Sequence, residues 1–163
     1  MINIKNFVLF FFFIAFFSNA YTQPRQGMQA KEIALPSVSG DTMRLSSLKG
    51  KIVLLDFWAS WCGPCRASNR QLVKLYSKYK DKGFEIFAVS LDEEKEKWKN
   101  AVRQDKIKWL QVIDGGGWEA QTARVWNINA IPTSYLIDKE GKLIAMDLDG
   151  KQLEKALKEL IDK

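Results

Sequence analysis

Seven residues about a third of the way along the chain set the terms for everything around them. Ile52-Val53-Leu54-Leu55-Asp56-Phe57-Trp58 is apolar at every position but Asp56. A run that is apolar on both alternating faces fits a central strand of a parallel sheet, where helices cover the sheet above and below. A parallel neighbour requires a crossover, and the following residues supply one. From about Gly63 to Lys82, Leu72, Val73, Leu75, Tyr76 and Tyr79 fall along one side of a helix, which Lys82-Gly83 ends. Phe84 to Leu91 is the next apolar strand. A strand–helix–strand unit with a right-handed connection predicts an α/β sandwich.

The flanking segments complete this frame. Ile33–Val38 and Thr42–Leu45 read as a hairpin around Ser39-Gly40-Asp41, followed by a short turn at Ser46–Lys49. Glu93–Gln104 reads as an added helix with Trp98, Ala101 and Val102 as its apolar stripe. Leu110–Ile113 is a short strand, and Gly115-Gly116-Gly117 leads to a helix near Trp118–Trp126. Ser134–Ile137 and Leu143–Met146 form a hairpin across Lys139-Glu140-Gly141-Lys142. In the last helix, about Gln152–Asp162, Leu153, Ala156, Leu157, Leu160 and Ile161 fall on one face. The helix–hairpin–helix tail adds antiparallel strands, so the expected sheet is mixed.

At 163 residues the chain has the length of one domain with a core of ordinary size. The first residues read as an address. Lys5 precedes an unbroken apolar run from Phe7 to Phe17, and Ser18-Asn19-Ala20 follows with small residues at a cleavage site. That is the pattern of a secretory signal peptide over residues 1–20. The run is short for a membrane span, and an uncleaved anchor is the alternative. Residues 21–30 read as a flexible lead-in, and residues 31–163 as the folded domain. The expected location is therefore periplasmic or otherwise extracytoplasmic.

Two cysteines and no histidine narrow the chemistry. Histidine-based triads and histidine-ligated metals are excluded, and two cysteines cannot complete a structural zinc site; no metal and no separate cofactor are expected. The net charge of +6 is spread among interleaved acids and bases, without the basic tract that nucleic-acid binding would call for. A monomer is expected.

The cysteines stand in Cys62-Gly63-Pro64-Cys65, directly after the buried strand and at the start of the helix. A cysteine at a helix N-terminus meets unpaired N–H groups and the positive end of the helix dipole, both of which favour a thiolate. Spacing of i, i+3 brings the sulfurs together in the first turn, and Pro64 is tolerated there because its missing N–H would be unpaired anyway. Thiol–disulfide exchange needs one thiolate to attack and a neighbour to resolve the mixed disulfide. Cys62, first in the turn, is expected to be the more exposed nucleophile, and the deeper Cys65 to resolve. As a mere staple the pair would contribute only about 2 kcal/mol, because the loop it closes is so short. Asp56, inside the buried strand six residues earlier, is expected to have a raised pKa and to relay a proton to or from Cys65.

Asp56-Phe57-Trp58-Ala59-Ser60-Trp61-Cys62-Gly63-Pro64-Cys65 resembles the active-site stretch of thioredoxin, and Ala130-Ile131-Pro132-Thr133 resembles its cis-proline loop. The resemblance extends in element order over roughly residues 33–163. The leading hairpin, the added helix and the signal peptide are similar to the extracytoplasmic TlpA/ResA-like branch of the thioredoxin superfamily. The resemblance implies a thioredoxin-like three-layer sandwich with helices on both faces of a central mixed sheet, plus an N-terminal hairpin and an inserted helix. It implies a cis Ile131–Pro132 bond facing the cysteines, with the backbone there pairing with a substrate strand. It further implies substrate contacts at Trp61, Gly63 and Pro64; Trp58 is expected simply to pack in the core. Protein thiols and disulfides would be the substrates and a membrane thiol-electron carrier the donor, with tasks such as reducing apocytochrome c before haem attachment or rescuing mispaired proteins. Three positions depart from the pattern. Ser68 stands where relatives in that branch often carry glutamate, Arg70 near where they often carry proline, and Phe87-Ala88-Val89-Ser90 lacks the lysine of thioredoxin.

With Gly63-Pro64 between the cysteines, and no histidine there to stabilise a thiolate, a reducing potential is expected. The alternatives are an oxidase or isomerase, a peroxiredoxin-like peroxidase, and a non-catalytic module on the same scaffold. Neither cysteine ends the Pro-x-x-x-Thr/Ser-x-x-Cys pattern of the peroxidases.

Overall fold

The computed structural model describes residues 24–161; the signal peptide expected over residues 1–20 lies outside them. A five-stranded mixed sheet runs through the domain in the order β5-β4-β3-β6-β7. β3 (Ile52–Trp58) is central and buried along its whole length. It pairs in parallel with β4 (Phe84–Ser90) and antiparallel with β6 (Thr133–Ile137). β5 (Leu110–Ile113) extends the parallel side, and β7 (Leu143–Met146) closes the antiparallel side. A small separate sheet is formed by β1 (Ala34–Pro36) and β2 (Thr42–Arg44).

Alternation along β3 sorts two cores. Ile52, Leu54 and Trp58 face α1 (Gly63–Tyr79), α2 (Lys95–Gln104) and α4 (Gly150–Ile161). Val53, Leu55 and Phe57 face the opposite layer, built from α3 (Gln121–Trp126), Ile33 and the Leu45–Leu48 turn. This is the thioredoxin-like three-layer arrangement. Asp56, in phase with Leu54 and Trp58, belongs to the α1 face.

The inserted α2 is held by Trp98, which is fully buried. Its indole N–H and that of Trp58 both donate to Gln111 Oε1 on β5, at 3.4 and 3.1 Å. Trp58 is core, as its place in β3 suggested. α4 begins with a reciprocal cap: Asp149 Oδ1 accepts from the Lys151 and Gln152 N–H groups, and Gln152 Oε1 accepts from the Asp149 N–H.

The structure trims several expected elements. The first strand stops at Pro36, whose missing N–H suits a strand end. α1 gives way at Lys80 to a tighter turn, closed by Gly83 at φ 85°. The helix expected near Trp118–Trp126 is a 3-10 turn at Gly117–Glu119 and then α3, because Asp114 Oδ2 caps at Thr122. The expected flexible lead-in is fastened over its described part. Gly27 N–H donates to Leu143 O, Leu143 N–H to Met28 O, and Ala30 N–H to Gly141 O, so main-chain bonds tie these residues to the β6–β7 hairpin.

Candidate active site

The site forms where β3 stops and α1 starts. Cys62 caps α1, and its Sγ accepts from the Cys65 N–H at 3.1 Å. The cysteines are joined in a disulfide with an S–S distance of 2.04 Å. Cys62 is 6% exposed and Cys65 1%. The residue expected to be reached first is thus the more exposed one, although both are largely covered. Gly63 and Pro64 lie exposed on the first turn of the helix.

Two polar clamps hold the approach to Cys62. The Cys62 N–H donates to Ala59 O. The buried Asp92, just after β4, accepts from the Ser60 N–H at 2.8 Å, from Ser60 Oγ at 2.5 Å and from Ser90 Oγ at 2.7 Å. On the other side, Arg66 on the first turn of α1 donates to Ser60 O at 3.2 Å and pairs with Asp105 at the end of α2. Asn69 Nδ2 also donates to Asp105. Neither clamp stood out in the sequence. Asp92 follows an apolar strand much as many loop residues do, and its partners lie two and thirty-two residues away.

The Ile131–Pro132 peptide is cis. Ile131 O lies 3.7 Å from Cys62 Sγ; the disulfide sulfur has no hydrogen to offer, but a Cys62 thiol would find an acceptor there. Pro132 is exposed beside it, and Thr133 Oγ1 donates back to Ala130 O at 2.8 Å, closing the loop where β6 begins. Trp61 is 55% exposed and lies against Trp118, which is 47% exposed, with ring centroids 6.0 Å apart. In the sequence Trp118 marks only the start of a helix; its approach to Trp61 spans fifty-seven residues and leaves no local signal.

Asp56 lies in a groove beneath the cysteine turn, together with Pro64, Ser68, Pro132, Ser134 and Asp147. Burial pushes its carboxyl up to about 7, and the negative charge of Asp147 adds to the rise. An acid at this value is half ionised near neutrality, so it can both take and give a proton there. Among the described residues no cluster of three or more potential metal ligands occurs, and no helix is long and apolar enough to cross a membrane.

A cysteine pair three residues apart at a helix N-terminus, on this sandwich, is the arrangement of a thiol–disulfide oxidoreductase. The chain belongs to the AhpC/TSA family, whose model matches residues 26–146. It is 37% identical over 137 residues to the thiol-disulfide oxidoreductase ResA of Bacillus thuringiensis subsp. konkukian, covering 84% of this chain and 77% of that one. The protein of the same name from Halalkalibacterium halodurans is 31% identical over 151 residues, covering 90% and 84%. Among solved structures, the chain is similar to a thiol-disulfide oxidoreductase from Bacteroides fragilis, with a TM-score of 0.76 and 36% identity over 82% of this chain and 99% of that one. The thioredoxin domain of a thiol-disulfide oxidoreductase from Bacteroides vulgatus gives 0.79 and 35% over 84% and 98%.

Proposed function

We propose that the protein is an extracytoplasmic reductase of protein disulfides, with Cys62 as nucleophile and Cys65 as resolving thiol. One observation carries the assignment of roles: the Cys65 N–H rests on Cys62 Sγ at the start of α1, the place where a thiolate is best stabilised. In the reduced protein the Cys62 thiolate attacks a substrate disulfide, forming a mixed disulfide and releasing one substrate thiolate. Asp56 takes the proton of Cys65. The Cys65 thiolate then attacks Cys62 Sγ, the bond to the substrate breaks, and the second substrate sulfur leaves as a thiolate that water protonates. Two electrons pass to the substrate, and the Cys62–Cys65 disulfide remains.

Exposed Trp61, Gly63 and Pro64 on one side, and Ile131 with Pro132 on the other, frame a channel for an extended substrate segment. The backbone at Ile131 pairs with it, and Trp118 widens the apolar rim. The leader-like residues 1–20 support export. Once outside, a reductase needs electrons from a membrane thiol carrier; apocytochrome c thiols or mispaired proteins are the fitting substrates. Gly63-Pro64, with no histidine between the cysteines, supports the reducing direction.

Equilibration of residues 21–163 against glutathione or dithiothreitol tests the direction. A potential at or below about −230 mV is expected, and one above about −180 mV would make the protein an oxidase or isomerase. Peroxide consumption by the reduced protein tests the peroxidase alternative; none is expected, because neither cysteine lies in the peroxidase pattern.

A further inference from the structure

The groove under the cysteines holds a second carboxylate, and the strand ladder fixes its relation to the first. Asp56 on β3 is in register with Ser134 on β6. The main-chain groups of Ser134 point the other way: Asp147 N–H donates to Ser134 O at 2.8 Å, and Ser134 N–H donates to Asp147 Oδ1 at 2.7 Å. Asp56 and Ser134 are therefore a non-hydrogen-bonded pair, the kind in which cross-strand neighbours come closest, at about 4.5 Å between Cα atoms. Asp147 lies one strand further, so its Cα is about 10 Å from that of Asp56.

Asp147 reaches this place by an unusual route. It directly follows β7 at φ 50°, a left-handed conformation that aspartate and asparagine tolerate better than most residues. That turn brings the carboxylate back onto the Ser134 N–H, where a strand would have offered a carbonyl, and so fixes a full negative charge at the lip of the groove. The other charged groups lining the groove are Arg70, Lys74 and Lys78 from α1, Lys151 and Glu154 from α4, and Asp149 before it. Glu154 is taken up by Lys78 and the Tyr79 hydroxyl, and Asp149 by the cap of α4. Asp147 alone among these acids is bonded to the residue that faces Asp56.

We propose that Asp147 is a positioning residue for the exchange reaction: held across Ser134, its charge makes the Asp56 carboxylate a stronger base toward the proton of Cys65. The proposal rests on the role given to Asp56 above. Burial alone already disfavours the Asp56 anion, and the like charge of Asp147 adds to the same effect. The gain is a base matched to a thiol near neutral pH.

Asp147→Asn separates charge from structure, because asparagine keeps an acceptor for the Ser134 N–H and tolerates the left-handed backbone. The measurement is an NMR titration of the Asp56 carboxyl carbon in the oxidised protein, at low salt and in 1 M NaCl, alongside the pH–rate profile for mixed-disulfide resolution. At low salt the Asp56 midpoint should fall by about one pH unit in Asp147→Asn, as a neighbouring charge at this range implies. The acid limb of the rate profile should move with it. In 1 M salt the wild-type midpoint should drop by only part of that difference, because a pair with one buried partner is screened less than two exposed charges, while the variant should hardly move. An unshifted midpoint in Asp147→Asn would overturn the proposal. So would an equal shift of the rate profile in an Asp56→Asn background, which would mean that Asp147 acts on the cysteines directly. A wild-type profile with no acid limb would also overturn it, with exchange itself intact; only a wild-type protein that performs no exchange would count against the proposed function.

Discussion

Asp56 carries the most distinctive consequences of any single residue outside the cysteine pair. Its carboxyl is raised from an ordinary value of 3.8 to about 7 in the folded chain. The folded protein therefore holds a proton that the unfolded chain releases from about pH 4 upward. Stability should fall as the pH climbs from about 4 to about 7 and level off above, where both states are ionised. Asparagine has no such charge to bury. Asp56→Asn should match the wild type at pH 4 and exceed it by up to about 4 kcal/mol above pH 7, the equivalent of three pH units. Urea denaturation of the two oxidised proteins across that range checks the sign, and equal curves at all pH values would contradict the burial of a charge. The same variant should resolve mixed disulfides about a hundredfold more slowly at pH 7, the low end of what a positioned acid–base group supplies; stopped-flow kinetics reads this directly. Stability gained and rate lost in one variant is the pattern of a residue retained for chemistry. Trp118 gives a milder prediction. Trp118→Ala should raise KM for a protein disulfide about fivefold, the size of a modest interface contact. The rate with a small aromatic disulfide should be unchanged, since so small a substrate need not reach past Trp61.

At the scale of elements, the site depends on how β3 hands over to α1. Asp92 and Arg66 hold the turn between them from opposite sides through Ser60. Asp92→Ala would leave the half-buried Ser60 donors and the buried Ser90 hydroxyl without an acceptor. The expected cost is about 3 kcal/mol in urea denaturation, given that each unsatisfied buried donor costs about 1–3 kcal/mol. α2 is tied to the same region through Asp105 at its end and to the core through Trp98. Trp98→Ala should cost about 3–5 kcal/mol by emptying a fully packed position. Much of this architecture was legible in the sequence. β3 and β4 announced themselves by continuous apolarity, and α4 by its stripe. The boundaries were less legible: Asp114 sets the start of α3 by a capping bond spanning eight residues, and Pro36 ends β1 earlier than its apolar content suggested.

For the whole molecule, legibility divides by distance along the chain. Cys62, Cys65 and Asp56 lie within ten residues of one another, so strand, turn and helix chemistry could be read together. Pro132 was legible through its resemblance to a known loop. The pairing of Trp61 with Trp118, the bonding of Asp147 to Ser134 and the fastening of residues 27–30 to the β6–β7 hairpin are products of the fold. No periodicity or local motif encodes such contacts, since they arise only after the sheet has brought distant segments together. The account as a whole rests on the unequal roles of the two sulfurs, and trapping tests it most directly. Reduced Cys65→Ser, mixed with oxidised insulin, should accumulate a mixed disulfide that peptide mass mapping places on Cys62, whereas reduced Cys62→Ser should accumulate none. An adduct on Cys65 in the Cys62→Ser protein, or no adduct with either variant, would contradict the assignment of Cys62 as the attacking thiolate.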